Sequence, residues 1–321
     1  MNQPENAIVV AVGYQGCDAA LAFAAQEAVR TQNPLHLVQV TALPDTAEYA
    51  GIYSSNVPDL DGPIDKALAQ ARQLVGESSV AVTGERVEDH SHVAALVRHA
   101  NRSRMIVLQH RRIGALKRIV TGSTTDGVAG RARVPVVSVP EDWSASHAGS
   151  VVTVAVQDAE EAAGLLRVGL EQARARRAAL VVLHAWWLAS GYDVVVVDDT
   201  MRRDWAERAQ SSLAHALDEL RTEYPDVQVT VQVQHAPPIE AILDATEQSA
   251  LLVLGRRHHL LPLGSHLGPV ARATLSHSAC PVLMVPPVPQ AQNETSLPFA
   301  TDRVGSRPGL GWPARRSGAL A

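Results

Sequence analysis

The chain has 321 residues, 46% of them apolar, with only two cysteines and a formal net charge of −5. That acidic balance lacks the basic footprint of non-specific nucleic-acid binding, and no apolar run reaches the ~18 residues of a membrane span, so nucleic acid and membrane are excluded as partners. Residues 1–6 carry neither the basic region nor the apolar stretch of a signal peptide, and Cys17 and Cys280 suit a reducing compartment, so a cytoplasmic protein is expected.

The first half opens with Ala7–Val12, a continuous apolar run typical of a strand buried on both faces of a parallel sheet. Residues 18–31 place Ala and Leu at helical spacing with Asp18 as the expected N-cap. Leu35–Val40 reads as strand two, 42–63 as turn-rich and 64–75 as an amphipathic helix. Val80–Val82 or the later Glu85–Val87 is strand three, and Val93–Asn101 a helix capped by the run Asp89–His92. Met105–Leu108 is strand four, Ser123–Ala132 a helix and Val134–Val139 strand five. The second half repeats the order: strand 151–156, helix 160–178, strand 180–185, helix 202–224, strand 227–233, helix 239–248, strand 251–254, helix 269–278 and strand 281–285. Val194–Val197 reads as an extended crossover segment.

The halves also match in sequence. Residues 105–140 align with 251–286 without a gap at an offset of 146, with identities at Val107/Val253, Leu108/Leu254, Arg111/Arg257, Gly122/Gly268, Pro135/Pro281, Val136/Val282, Val139/Val285 and Pro140/Pro286. A repeat of this length fixes the architecture. Alternation of strand and helix predicts two α/β domains with open, mainly parallel sheets, over 5–140 and 151–286, joined by a linker at 141–150. Residues 287–321, rich in Pro, Gly, Ser and Ala without periodicity, read as a disordered tail.

In such sheets ligands settle beyond the carboxyl ends of the strands, where strand order reverses. With order 3-2-1-4-5 that crevice lies between strands one and four, so the loops to inspect are 13–18 and 109–122 in the first half, 157–160 and 255–268 in the second. Each strand-four loop ends at a glycine that opens a helix, and a helix N-terminus offers free N–H groups to phosphate.

On these residues the chain resembles a tandem of universal stress protein domains, from residue 7 to residue 286. The resemblance implies a HUP-like sandwich related to the adenine nucleotide alpha hydrolases, with an adenine nucleotide such as ATP as ligand. Nucleotide-binding members carry Gly-x-x-Gly-x9-Gly-Ser/Thr from the end of strand four into the last helix, and an Asp at the end of strand one. Carried over, the first half has Gln109 and Arg112 at the leading glycines, which puts side chains where the motif has none. It keeps Gly122 and Ser123, with Thr124 following, and its strand-one Asp is replaced by Gly13. The second half keeps Gly255 and Gly268, has His258 at the second glycine and Pro269 at the hydroxyl position, and ends strand one in Gln157, followed by Asp158. Pro269 suits a first helical turn but removes an N–H from the anion site. The first half is therefore favoured for phosphate and the second for approach of the ribose.

Other candidates read as structural. His258, His259 and His266 lack a zinc-site spacing, so no metal is assigned. Cys17 reads as a small buried residue rather than a reactive thiol. Trp186 and Trp187, after strand two of the second half, either stack on a base or serve a core or domain interface. No Ser/His/Asp set, paired carboxylates in matching loops or Walker-type sequence nominates a catalytic base, so an enzyme is not expected. Strand five is the last strand of each sheet, and bare edges invite pairing. The resemblance implies pairing through it, here within one chain, and a homodimer of the whole unit stays open. Three functions stand: a stress-response regulatory binding module with a degenerate nucleotide site, an ATP sensor or slow ATPase, and a ligand-free scaffold.

Overall fold

Runs of Val, Leu, Ile and Ala form strands here because they are covered on both faces. All seven residues of the second strand are buried. A computed structural model describes residues 3–14, 16–41, 62–111, 124–145, 149–159, 162–188, 197–256 and 267–287, so the expected tail and residues 194–196 of the crossover segment lie outside the described residues. The elements run β1 (Ile8–Val12), α1 (Asp18–Thr31), β2 (Leu35–Thr41), α2 (Gly62–Val75), β3 (Val82–Glu88), α3 (His92–Ala100), β4 (Met105–His110), α4 (Thr124–Arg131) and β5 (Val136–Pro140). The second series is β6 (Val151–Ala155), α5 (Ala163–Arg176), β7 (Ala179–Trp186), α6 (Asp199–Glu223), β8 (Val229–His235), α7 (Pro238–Thr246), β9 (Ser249–Gly255), α8 (Pro269–His277) and β10 (Val282–Val285).

The sheet order is β3-β2-β1-β4-β5-β10-β9-β6-β7-β8. Each half has the expected 3-2-1-4-5 arrangement with parallel pairs throughout. One apolar layer joins the strands to α1, α2, α5 and α6, and a second joins them to α3, α4, α7 and α8. Both layers cross from one half to the other, and both halves belong to one compact unit, Met1–Val288.

Boundaries differ from expectation where local chemistry intervenes. Strand three takes the later of its two candidate runs, because the ladder to β2 pairs Leu35 with Val82 and continues to Thr41 with Glu88. The helix expected to reach Ala178 stops at Arg176, since Arg177 turns left-handed at φ 53° and its N–H returns to Ala173 O and Arg174 O. Asp18 is the first residue of α1 rather than its N-cap. Cys17 occupies the cap position and forms no side-chain cap bond.

β5 and β10 pair antiparallel, Ser138 with Val282, Val137 with Leu283 and Val136 with Met284. The central partners are 146 positions apart, so a pseudo-two-fold axis passes between them and the seam has the form of an isologous contact. Asp126 and Arg272, also 146 apart, interact electrostatically across it. Arg256 Nη1 donates to Ala129 O and Ala132 O, both at 2.8 Å, at the end of α4. In the opposite direction Ser138 Oγ donates to Leu275 O at 3.2 Å, with His110 Nδ1 2.8 Å from the same hydroxyl. Leu275 stands 146 positions from Ala129, and Arg256 the same distance from His110. Equivalent carbonyls are thus reached by a guanidinium on one side and a hydroxyl on the other. On the far face of the sheet, buried Glu27 of α1 bonds both Arg30 and Arg176 of α5. Burial lowers the pKa of both arginines to about 10, with mutual repulsion adding at Arg30.

Candidate functional site

Helices follow strands in each unit, so the N-termini of α1 and α5 lie at the sheet edge where β4 and β9 end. In the first half a side chain enters that space. Gln109, the second-last residue of β4, turns its side chain onto α1, where Oε1 accepts from Ala19 N at 3.0 Å and Ala20 N at 3.4 Å. The helix that lacks a cap from Cys17 therefore receives one from a neighbouring strand. Gln109 fills the place of the motif's first glycine and holds N–H donors at the mouth of the crevice. Gly13 lies alongside, directly after β1, where an added Cβ would meet only Gly16 O at 3.7 Å. Crowding at the Cβ therefore does not account for the absence of Asp there.

Beside this plug is an open cavity of about 460 Å³ bordered by Tyr14, Gly16, Cys17, Asp18, Lys66 and Gln70. Tyr14 is exposed. Cys17 is buried, and desolvation first, then the Asp18 charge, push its thiol up to about 12. It is therefore an inert thiol, in line with the structural reading. Thr124 is the exposed first residue of α4. Arg112, Gly122 and Ser123 lie outside the described residues.

In the second half the position of Gln109 is Gly255, exposed at the end of β9 and without a side chain to reach α5. A Cβ there would touch Leu165 of α5 at 3.5 Å, an ordinary contact. Gln157 and Asp158 are exposed in the loop after β6, which pairs with β9 as far as Ala155 opposite Leu254, so this loop and Gly255 adjoin. Gly268 is the N-cap of α8, with Pro269 in the first turn and open space around its would-be Cβ. His258 lies outside the described residues.

The tryptophans resolve into an aromatic group that the sequence alone disclosed only in part. Trp186 packs against Trp205 of α6 at 4.6 Å and His235 of β8 at 4.2 Å, and Trp187 stacks on His235 at 4.9 Å. Trp187 remains 38% exposed, so Trp186 is a packing residue while Trp187 presents an accessible edge just after β7. Strand pairing places His235 beside Trp186, a signal that requires the β7–β8 register.

Comparison with known proteins agrees with this fold. The profile of the universal stress protein family matches residues 6–140 and 150–286. A universal stress protein of Mycolicibacterium smegmatis is 28% identical over 276 residues, covering 84% of this chain and 93% of that protein. A universal stress protein of Mycobacterium tuberculosis is 26% identical over 308 residues, covering 86% and 94% respectively. The crystal structure of a universal stress protein from Archaeoglobus fulgidus matches with a TM-score of 0.64 at 17% identity, over 88% of this chain and 96% of that one, which is a likeness of fold. Among the described residues no helix is long and apolar enough to cross a membrane.

Proposed function

We propose, from the premise that the chain belongs to the universal stress protein family, that it is a one-sided tandem. In this reading the second half accepts an adenine nucleotide and the first half is its self-capped counterpart. The observation that carries it is the Gln109 side chain bonded to the N-terminus of α1 where the second half has only Gly255. A neutral amide at a helix N-terminus competes directly with an anion for the same donors. This reading departs from the sequence-level preference for the first half as the phosphate site, which rests on Gly122 and Ser123, outside the described residues. The protein then works as a cytoplasmic regulatory module that reports ligand by binding, without turnover. Among the described residues its loops offer no nucleophile–base pair, and the β5–β10 seam gives the empty half a route to the loaded one.

Release of ligand from natively purified protein, followed by mass spectrometry and titration with ATP, ADP and AMP, tests the reading. One nucleotide per chain is expected, with no hydrolysis above background. Gly255→Gln, which transplants the plug, abolishes binding, whereas Gln109→Gly leaves the second site intact. Binding that survives Gly255→Gln, or a wild-type chain that binds no nucleotide, overturns the proposal.

A further inference from the structure

A second polar cluster lies in the first half at the opposite edge of the sheet from the crevices. His36 is the second residue of β2, paired with Thr83 of β3, and Glu85 stands two residues further along the same strand face. His99 sits near the end of α3, which returns antiparallel to the strands and so reaches that edge. His36 Nε2 is 2.9 Å from Glu85 Oε1, and His99 Nδ1 is 3.3 Å from the same oxygen. One ligand atom from each of the three residues falls within 4.8 Å of the others. The rings lie stacked at 6.4 Å.

We propose that His36, Glu85 and His99 bind a divalent first-row metal ion of the zinc class, independently of the nucleotide crevice. Two imidazole nitrogens and one carboxylate oxygen form a recognised zinc donor set that leaves a fourth position for water. With metal–ligand bonds of about 2.0–2.1 Å, tetrahedral donors stand about 3.3 Å apart, close to the two separations found. His36 Nδ1 is 2.8 Å from Thr83 Oγ1, which holds the ring and points Nε2 at the cluster, as an outer partner does for a metal-bound histidine. Gln3 clasps His99, its amide donating to His99 O at 3.1 Å and its Oε1 lying 3.2 Å from Nδ1, so the amide oxygen is a second candidate for the fourth position.

The other half supplies the control. Met105 is equivalent to Leu251, and these pair with Ile8 and Val152 respectively. The ladders then make Leu35 equivalent to Leu180 and Val82 to Val229. His36 therefore corresponds to Val181, Thr83 to Thr230 and Glu85 to Gln232, while His99, 146 positions from Ala245, corresponds to an alanine. The fold is built without this cluster in one copy, so packing does not require it. Burying an imidazole where the other half has a valine has a cost, and His36 is fully buried.

The test uses the full chain stripped with a chelator. Equilibrium dialysis against zinc, with metal counted by mass spectrometry, is expected to give one tightly held ion per chain, and cobalt(II) the strong visible bands of a tetrahedral site. Glu85→Gln and His99→Ala install side chains that the second half already carries, so they are expected to keep the fold, checked by circular dichroism. Each is expected to weaken binding about 100-fold or more, beyond the 10–100-fold range of outer-shell changes. His258→Ala, in the histidine-bearing 257–266 segment, serves as the comparison variant and leaves binding unchanged. Absence of a stoichiometric ion, or binding that survives Glu85→Gln and His99→Ala but falls in His258→Ala, overturns the proposal.

Discussion

The two crevices are built on one scaffold and differ, among other positions, at the end of strand four. Gln109 reaches α1 in the first through two backbone N–H groups, while Gly255 offers no side chain to do so in the second. The scaffold beneath has not diverged to match. Strand order, helix layers and the left-handed ends of α1 at Gln32 and α5 at Arg177 are shared. Side chains at the strand ends thus vary independently of packing along the strands. The seam shows the same separation, since each equivalent carbonyl keeps a donor while the donor itself differs.

The strongest way to break the comparison is at the axis. Val137 and Leu283 face each other in the centre of the β5–β10 ladder and are 1% and 3% exposed. Leu283→Asp buries a carboxylate without a counterion, at a cost of about 3–5 kcal/mol. Val137→Asp is expected to cost the same, because the two positions are equivalent. Urea midpoints of the full chain measure both, and normal stability in either variant would show that the seam does not persist in solution.

Next in size is a packing difference between the halves. Gly169 of α5 lies so close to β6 that an added Cβ would fall 2.2 Å from Val154 Cγ2, a branched side chain fixed on a central strand. The equivalent residue of α1, counted back from the shared left-handed ends, is Ala24, which is fully buried. Gly169→Ala is therefore expected to destabilise by about 2–3 kcal/mol through overpacking, although alanine is the better helix former. Ala24→Gly costs only about 1 kcal/mol. Reversal of that order in thermal unfolding would place the helices at equal distances from the sheet.

The carbonyl donors come third. Arg256→Met strips a charged donor from Ala129 O and Ala132 O and is expected to cost about 2 kcal/mol. Ser138→Ala removes a neutral bond to Leu275 O and is expected to cost about 1 kcal/mol. Equal losses in urea titrations would mean that the change of donor chemistry across the axis has no energetic consequence.

Much of this was legible in the sequence, for identifiable reasons. Buried parallel strands appear as unbroken apolar runs, and the offset of 146 located equivalent residues before any coordinate did. The substitution at Gln109 was visible as a departure from the family motif. Its bond to Ala19 was not, because it links positions 90 apart through the β1–β4 pairing. The same limit hid the His36–Glu85–His99 cluster, whose members sit on three elements and carry no shared spacing. Asp18 looked like a cap because its residue type suits one, and only the backbone at Cys17 moves the cap position back by one. Side-chain reach across strands is a tertiary property, and local pattern does not encode it.

The smallest effect concerns the charge pair at the axis. Asp126 faces Arg272, the residue at its own equivalent position, so a symmetric pair of either half would set like charges against each other. The tandem can place opposite charges there, yet desolvation is the larger influence on Asp126 and holds its carboxyl above the ordinary 3.8, with Arg272 pulling it partly back. A carboxyl raised on folding binds its proton more tightly in the native state, so its contribution to stability is greatest at low pH and declines as pH rises from 3.8 through the native value. Asp126→Asn removes the titration. Urea midpoints of wild type and variant between pH 4 and 8 should therefore diverge in favour of the variant as pH rises, and then run parallel. Divergence in favour of wild type would mean that attraction to Arg272 outweighs desolvation. The charge pair would then stabilise the joined halves directly, rather than only disfavouring the pairing of either half with a copy of itself.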